Sequence, residues 1–194
     1  MLKKLAFFIR VITVAPFMAL VMLLVLYFRD AEFFGDTADF ILMVLFLVVL
    51  PLLAYPLQPL IKPYKDKGRD GQRTLAIIFA VSGYVLGCIC AVVLSAPGNV
   101  LTIYVSYLLS GAFVMLINKL LRFKASGHAC GITGPFALLV YFGHNSGYLI
   151  GLPVLVAAWL SSLYMKRHTN AQFITGAVIP FCMLGVIMLF KSIV

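Results

Sequence analysis

Two short polar segments near the C-terminal end of the chain contain the residue types that phosphate chemistry needs. Residues 124–128 read Lys-Ala-Ser-Gly-His, and residues 167–172 read Arg-His-Thr-Asn-Ala-Gln. Each segment opens an apolar stretch and places a histidine with basic neighbours where a helix is expected to begin. Free backbone N–H groups, the helix dipole and cations together attract a phosphate group. The two segments therefore predict a phosphate site and not a lipid-facing surface.

The residue types near these segments favour one kind of phosphoryl chemistry. Hydrolysis of a phosphoryl group needs an in-line nucleophile, cations for the equatorial oxygens and an acid for the leaving oxygen. The basic loops contain only two acids, Asp66 and Asp70, so no carboxylate cluster indicates a bound metal. A histidine nucleophile acting without a metal ion or any other cofactor fits this inventory.

The composition predicts an integral membrane protein. The chain has 194 residues, of which 63% are hydrophobic and 11% are charged, and its mean hydropathy is +1.10. A soluble domain averages about 45–50% apolar and about 25% charged residues. The net charge of +9 does not indicate nucleic-acid binding, because the cations lie in short loops between apolar runs and form no continuous stripe. Membrane lipids are the expected surroundings.

The apolar runs predict an all-α fold, a membrane bundle of six or seven transmembrane helices. A helix needs about 20 residues to cross a bilayer, with about 17 as the lower limit. The fifth and sixth runs are short and contain Gly and Pro, so they are expected inside the bundle, partly shielded from lipid. The runs are 11–28, 38–57, 74–95, 100–121, 128–142, 149–165 and 172–190.

The whole chain, 1–194, is interpreted as one transmembrane domain, with N-terminal helices over 1–57 and a catalytic core over 58–194. The basic N-terminus resembles a signal peptide, but no small-residue cleavage site follows the first apolar run, so a retained first span is expected. Two glycine pairs, Gly83 with Gly87 and Gly147 with Gly151, have the GxxxG spacing that is typical of close helix packing.

Threading seven spans places most of the cations on one face of the membrane. Four of the six acids fall on the other face, and the positive-inside rule makes the basic face cytoplasmic. An integral protein of a bacterial inner membrane, with its active face towards the cytoplasm, is the expected location. The cations on the basic face are Lys3, Lys4, Arg10, Lys62, Lys65, Lys67, Arg69, Arg73, Lys119, Arg122, Lys124, Lys166 and Arg167.

Three segments in this part of the chain follow one another in the order of a known motif set. Lys62 and Arg69 lie seven residues apart in a basic loop. The triplet Ser-Gly-His occupies residues 126–128, and His168 follows Ser161 by seven residues. Each segment alone is common by chance, so the interpretation depends on their joint occurrence, their order and their shared membrane face.

With these residues the chain resembles the type 2 phosphatidic acid phosphatase superfamily. The pattern of that family is Lys-x-x-x-x-x-x-Arg-Pro, then Pro-Ser-Gly-His, then Ser-Arg-x-x-x-x-x-His-x-x-x-Asp. The resemblance covers about residues 62–172. The chain departs from the pattern at four positions, which are Asp70 for Pro, Ala125 for Pro, Ser162 for Arg and Gln172 for Asp.

The resemblance implies a role for each matching residue. His168 would be the nucleophile that becomes phosphorylated, and His128 would protonate the leaving oxygen. Lys62 and Arg69 would bind the phosphoryl oxygens. Ser126 and the Gly127 N–H would form part of the cradle that holds the transition state.

The departures from the pattern carry expectations of their own. Gln172 lies four residues after His168, so its amide oxygen is expected to accept the His168 Nδ1–H and leave Nε2 free to attack. A neutral Gln cannot stabilise an imidazolium as an Asp does, so slower chemistry is expected. The family arginine is missing at Ser162, and Arg167 and Lys124 are expected to supply the missing charge.

The function that follows is a membrane-embedded phosphatase acting on a lipid phosphate through a phosphohistidine intermediate. The resemblance implies phosphatidic acid, phosphatidylglycerol phosphate or a polyprenyl diphosphate as the substrate. Several clustered cations favour the diphosphate. One alternative is a catalytically inactive relative that binds or translocates phospholipid. Another is a small transporter, although its ionisable residues would be expected near the bilayer midplane.

Overall fold

The computed structural model describes residues 1–30 and 32–193, with the side chain of Ser146 outside the description. Within these residues the regular structure is helical and contains no strand. The predicted fold class, an all-α membrane bundle, is confirmed.

The described residues form ten α-helices. Leu45–Val49 forms a π-helical segment between two of them, and Gln58–Leu60 forms a 3₁₀ turn. In chain order the helices are α1 Leu2–Ile12, α2 Ala15–Arg29, α3 Thr37–Val44, α4 Leu50–Leu57, α5 Lys62–Lys65, α6 Gly68–Val93, α7 Gly98–Leu120, α8 Gly127–Tyr141, α9 Ser146–Tyr164 and α10 Asn170–Ile193.

Five helical segments in the described part of the chain are long and apolar enough to cross a membrane. A sixth span results if α1 and α2, which are bent by 54° relative to each other, count as one. The count thus reaches the lower end of the predicted six or seven. The five segments are Thr37–Leu60, Gly68–Val93, Gly98–Leu120, Gly147–Tyr164 and Asn170–Ile193.

The first apolar run, 11–28, is not the single straight span that the sequence predicts. Helix α1 ends at Ile12, and α2 begins at Ala15 after the bend. Pro16 explains the break, because it has no N–H for the Ile12 carbonyl and its ring clashes with that oxygen in a continuous helix. The Thr13 hydroxyl stabilises the end of α1 by donating to the Ile9 carbonyl at 2.7 Å.

The two short runs behave differently from each other. Helix α8 has 15 residues, which is below the length of a span, and most of its side chains are buried. It packs against α9 and α10, as the prediction of an internal helix requires. Helix α9 differs from the prediction, because Tyr148, Leu149 and Leu152 expose more than half of their surface. Its glycines face α8, while its opposite side is open to lipid.

The chain divides into two compact units. Unit 1 comprises Met1–Met22 and Leu109–Val194, and unit 2 comprises Leu23–Leu108. These units are defined by packing, whereas the predicted division after residue 57 separates N-terminal helices from a catalytic core. That division stays a prediction. In unit 1, α8 packs between partners α9 and α10, and α1 packs against α9.

Unit 2 contains the basic loop that holds Lys62. Helix α6 packs against α4 and α5. The Gln58 side-chain amide donates to the Tyr64 carbonyl at 3.1 Å and to the Gly68 carbonyl at 2.6 Å, which folds the loop onto itself. The predicted glycine pair of α6 lies at a close helix contact, since a Cβ at Gly83 would overlap the backbone of Phe46.

Candidate functional site

The site is built around the N-terminus of α8 in unit 1. Ser126 is the N-cap, and its hydroxyl oxygen accepts from the Ala129 N–H at 3.2 Å. Its side chain is fully buried. Gly127 is exposed, and a Cβ built there would meet no atom within 4 Å. The Gly127 N–H lies in the first turn of α8, at the helix end that attracts an anion.

A second helix N-terminus, that of α10, carries a capping box. The Thr169 hydroxyl oxygen accepts from the Gln172 N–H at 3.3 Å, and the Gln172 side-chain oxygen accepts from the Thr169 N–H at 3.2 Å. This reciprocal pair is the pattern expected for Thr followed three residues later by Gln. His168 precedes the cap directly and is half-buried.

A backbone contact joins the two helix N-termini. The Ser126 N–H donates to the Gln172 carbonyl at 2.9 Å. Gly176, one turn further along α10, lies against Ser126, and a Cβ at Gly176 would overlap the Ser126 carbonyl. The absence of a side chain at Gly176 is therefore what allows the two helices to approach so closely here.

His128 is held by Thr13, which follows α1. His128 Nε2 lies 3.1 Å from the Thr13 hydroxyl oxygen. The single hydroxyl proton of Thr13 goes to the Ile9 carbonyl, so we assign the contact as donation from His128 Nε2–H, which leaves Nδ1 as the unprotonated nitrogen. Burial, together with the nearby charges of Arg10 and His168, lowers the pKa of His128 to about 3. The resting imidazole is neutral.

Arg10 is the site residue that the sequence reasoning missed. Its Nη1 donates to the Ser162 hydroxyl oxygen at 3.3 Å, across 152 residues of chain. One turn earlier on α1, the Ala6 carbonyl accepts from the Ser161 hydroxyl at 2.6 Å. Together the two bonds attach α1 to the last turns of α9. From the sequence, Arg10 is predicted only as one of the cations of the basic face, because no local spacing connects α1 with α9.

The predicted contacts of two residues, Gln172 and Ser126, can be compared with the observed hydrogen bonds. The spacing predicts that the Gln172 side-chain oxygen accepts a hydrogen bond from the His168 ring. Instead it caps α10 through the Thr169 N–H, because a backbone N–H in the first helical turn lies within easy reach of that side chain. Ser126 lies at the expected helix N-terminus, but its hydroxyl oxygen serves Ala129.

The predicted phosphate-binding cations occupy different places. Lys124 and Arg167 are exposed residues of unit 1, in the loops that lead to Ser126 and His168. Lys62 and Arg69 are exposed residues of unit 2, and their contribution to the site stays a prediction.

The charge of the chain is concentrated in the unit that contains the histidines. All six acidic residues belong to unit 2, which has six Lys and Arg residues and is therefore balanced. Unit 1 carries the whole net charge of +9 and provides a positive potential for an anion. Its cations are Lys3, Lys4, Arg10, Lys119, Arg122, Lys124, Lys166, Arg167 and Lys191.

A search of the described residues for three or more His, Cys, Asp or Glu side chains grouped as metal ligands finds none. Comparison of the chain with protein-family models, with curated proteins and with solved structures finds no match.

Proposed function

We propose that the protein is a membrane phosphatase that hydrolyses a lipid phosphate through a phosphohistidine. The observation that carries the proposal is the bond from the Ser126 N–H to the Gln172 carbonyl at 2.9 Å, which brings the N-termini of α8 and α10 together and with them His128 and His168. The charge of Arg10 also acts on His128. A nucleophile, an acid and a cation are the parts that phosphoryl transfer requires. The positive charge of unit 1 favours a phosphate as the bound group.

In the first step, a ring nitrogen of His168 attacks phosphorus with its lone pair. The bond between phosphorus and the leaving oxygen breaks, and its electron pair stays on that oxygen. The leaving oxygen takes a proton from His128. The Gly127 N–H and nearby cations hold the equatorial oxygens, where charge is concentrated in the transition state.

In the second step, water attacks phosphorus and the bond to His168 breaks. His128 accepts the proton that the water loses, because it left the first step as the neutral base. The electron pair of the broken bond returns to His168, and inorganic phosphate leaves. His128 then holds the proton that it had with substrate bound, and it returns this proton to solvent when phosphate leaves.

The resting state of His128 sets a condition on this cycle. With a pKa of about 3 the ring has no proton to give at Nδ1 near neutral pH. A bound phosphate dianion would raise the pKa of His128, since a nearby negative charge stabilises the imidazolium. The negative charge of the substrate therefore favours protonation of His128, and proton uptake accompanies phosphate binding.

The substrate and location follow from the same assignment. A lipid phosphate would keep its chains between helices, while its head group meets the helix N-termini. Phosphatidic acid, phosphatidylglycerol phosphate and a polyprenyl diphosphate all satisfy this requirement, and the nine cations of unit 1 favour the diphosphate. The proposed location is a bacterial inner membrane, with the active face towards the cytoplasm.

The test is phosphate release from these three lipids by detergent-purified protein in the presence of EDTA. We expect release by the wild type and its loss in His168→Ala, with His144→Ala, a histidine outside the site, as the matched control. After a quench at alkaline pH, wild-type protein incubated with radiolabelled substrate should carry an acid-labile phosphoryl group that His168→Ala lacks. Release that survives in His168→Ala would contradict the mechanism.

A phospholipid-binding protein without turnover is the second candidate. The observation that favours it is the composition of unit 1, which contains no Asp or Glu to stabilise the imidazolium of His168. Folded wild-type protein that binds the three lipids and releases no phosphate from any of them would establish this candidate.

A further inference from the structure

We propose that Arg10 of α1 is a phosphate-binding residue of the site and takes the place of the arginine that the motif lacks at position 162. This inference rests on the proposed function, because it assigns the cation that the proposed reaction needs. It makes the N-terminal helix part of the phosphate site. It also replaces the earlier expectation that the exposed Arg167 and Lys124 supply this charge.

The position of the guanidinium carries the inference. Arg10 Nη1 lies 3.3 Å from the hydroxyl oxygen of Ser162, and Ser162 is fully buried. The Ser162 side chain is thus directed towards the Arg10 guanidinium. The structure thus has an arginine beside position 162, but the arginine belongs to a different helix.

Contacts on both sides of Arg10 hold α1 in place. The bond from the Ser161 hydroxyl to the Ala6 carbonyl lies one turn before Arg10. On the other side of Arg10, Thr13 contacts the His128 ring. Arg10 is therefore flanked by two contacts with the elements that carry the site, and its charge acts on His128. A planar guanidinium can bind phosphate oxygens in a bidentate manner, which suits an arginine to this role.

Two structural explanations of Arg10 make different predictions. Arg10 could serve only as a hydrogen-bond donor that fastens α1 to α9. It could also be one of the basic residues, together with Lys3 and Lys4, through which an amphipathic helix contacts anionic lipid. Neither explanation requires a positive charge at Arg10 for binding of free inorganic phosphate in detergent.

The experiment measures inorganic phosphate binding and lipid-phosphate turnover in the same detergent-purified variants. Arg10→Gln removes the charge and keeps an N–H donor on a shorter side chain, and the melting temperature reports whether α1 stays attached to α9. If it does, a merely structural role predicts little change. We expect Arg10→Gln to keep the wild-type melting temperature and to lose about 100-fold or more in turnover, as for the loss of one transition-state donor. Phosphate binding should weaken in parallel. Lys4→Gln, which removes an exposed charge from the same helix, is the matched control and should bind phosphate as the wild type does.

A relocation variant tests the place of the charge. Arg10→Ala combined with Ser162→Arg returns an arginine to the position that the motif specifies. We expect this double variant to regain most of the phosphate binding and turnover that Arg10→Ala loses. Arg10→Lys provides a second measurement if the double variant does not fold, and it should lie between Arg10→Gln and the wild type because a point charge remains.

The outcomes separate the inference from the proposed function. Wild-type turnover and phosphate binding that persist in Arg10→Gln would overturn the inference and leave the phosphatase proposal intact. Phosphate binding that depends on Arg10, in a protein without turnover, would support the inference and overturn the phosphatase proposal. Wild-type protein that neither binds phosphate nor releases it would overturn both.

Discussion

At the scale of single residues, the proton on His128 decides what the site can do before a ligand arrives. The Thr13 hydroxyl already donates to Ile9, so its contact with His128 Nε2 requires a proton on that nitrogen. The other ring nitrogen is then the one that can accept a proton. Burial disfavours the charged form of the ring, so His128 is neutral before a ligand binds. A bound anion then favours protonation of the ring.

The low pKa of His128 also predicts how stability depends on pH. The unfolded ring takes a proton below its ordinary pKa of 6.5, while the folded ring stays neutral down to about 3. The unfolded state binds more protons in this range, so the melting temperature should fall as the pH is lowered from about 6.5 towards 3. In His128→Asn this part of the fall should be smaller, as measured by thermal unfolding in detergent at pH 7, 5 and 4.

His144→Asn serves as the control for this measurement, because His144 lies outside the site in the loop between α8 and α9. The acidic residues contribute equally in all three proteins. Parallel melting curves of wild type and His128→Asn across the pH range would contradict the buried, neutral state of His128.

At the scale of elements, Gln172 in the first turn of α10 makes two hydrogen bonds with different purposes. The Gln172 side chain closes the capping box, and the Gln172 carbonyl accepts from the Ser126 N–H. Gly176 brings α8 within reach. The distance between the helix N-termini, and so between the histidines that precede or open them, depends on these few contacts.

Gly176→Ala should therefore disturb the site. The new methyl group would overlap the Ser126 carbonyl, and overpacking of this kind costs about 1–3 kcal/mol. We expect a lower melting temperature together with loss of phosphate release, because α8 must move away from α10. Gly185→Ala on the same helix has open space around it and should be neutral or more stable, by up to about 1 kcal/mol. Equal effects of the two substitutions would contradict the close approach.

Substitution of Gln172 distinguishes its two assigned roles. If Gln172 caps α10, as its bonds indicate, Gln172→Ala should lower stability by about 1 kcal/mol and leave turnover largely unchanged. Gln172→Glu should keep the stability, since Glu also completes a capping box. Melting temperature and initial rates of phosphate release measure the two effects. A large loss of turnover in folded Gln172→Ala would restore the role of orienting His168.

At the scale of the whole molecule, charge and helix length bear on how the chain crosses the membrane. Helix α8 has 15 residues and is about 22 Å long, which is shorter than the hydrocarbon core of about 30 Å. Its burial by α9 and α10 removes the need to match the lipid. The predicted threading has Lys124 before α8 on the cytoplasmic face and Asn145 after it on the opposite face.

Labelling of single cysteines tests this threading. The four native cysteines are first replaced by Ala, and Lys124→Cys or Asn145→Cys is then introduced. With a membrane-impermeant maleimide, we expect Asn145→Cys to react in intact cells and Lys124→Cys to react only after permeabilisation. Both positions are exposed, so the membrane alone should decide which one reacts. Reaction of both from the same side would contradict a crossing by α8.

The sequence by itself determined the membrane class and the positions of the polar segments near helix N-termini. Apolar content depends on composition alone, and caps such as Ser126 use contacts within a few residues. Only the tertiary structure decided which cation lies beside Ser162, because Arg10 reaches it across 152 residues. It also decided the partner of Gln172, where a nearby backbone N–H competes with the His168 ring. Spacing identifies the groups that can meet, while packing and competition for hydrogen bonds select the pairs that do.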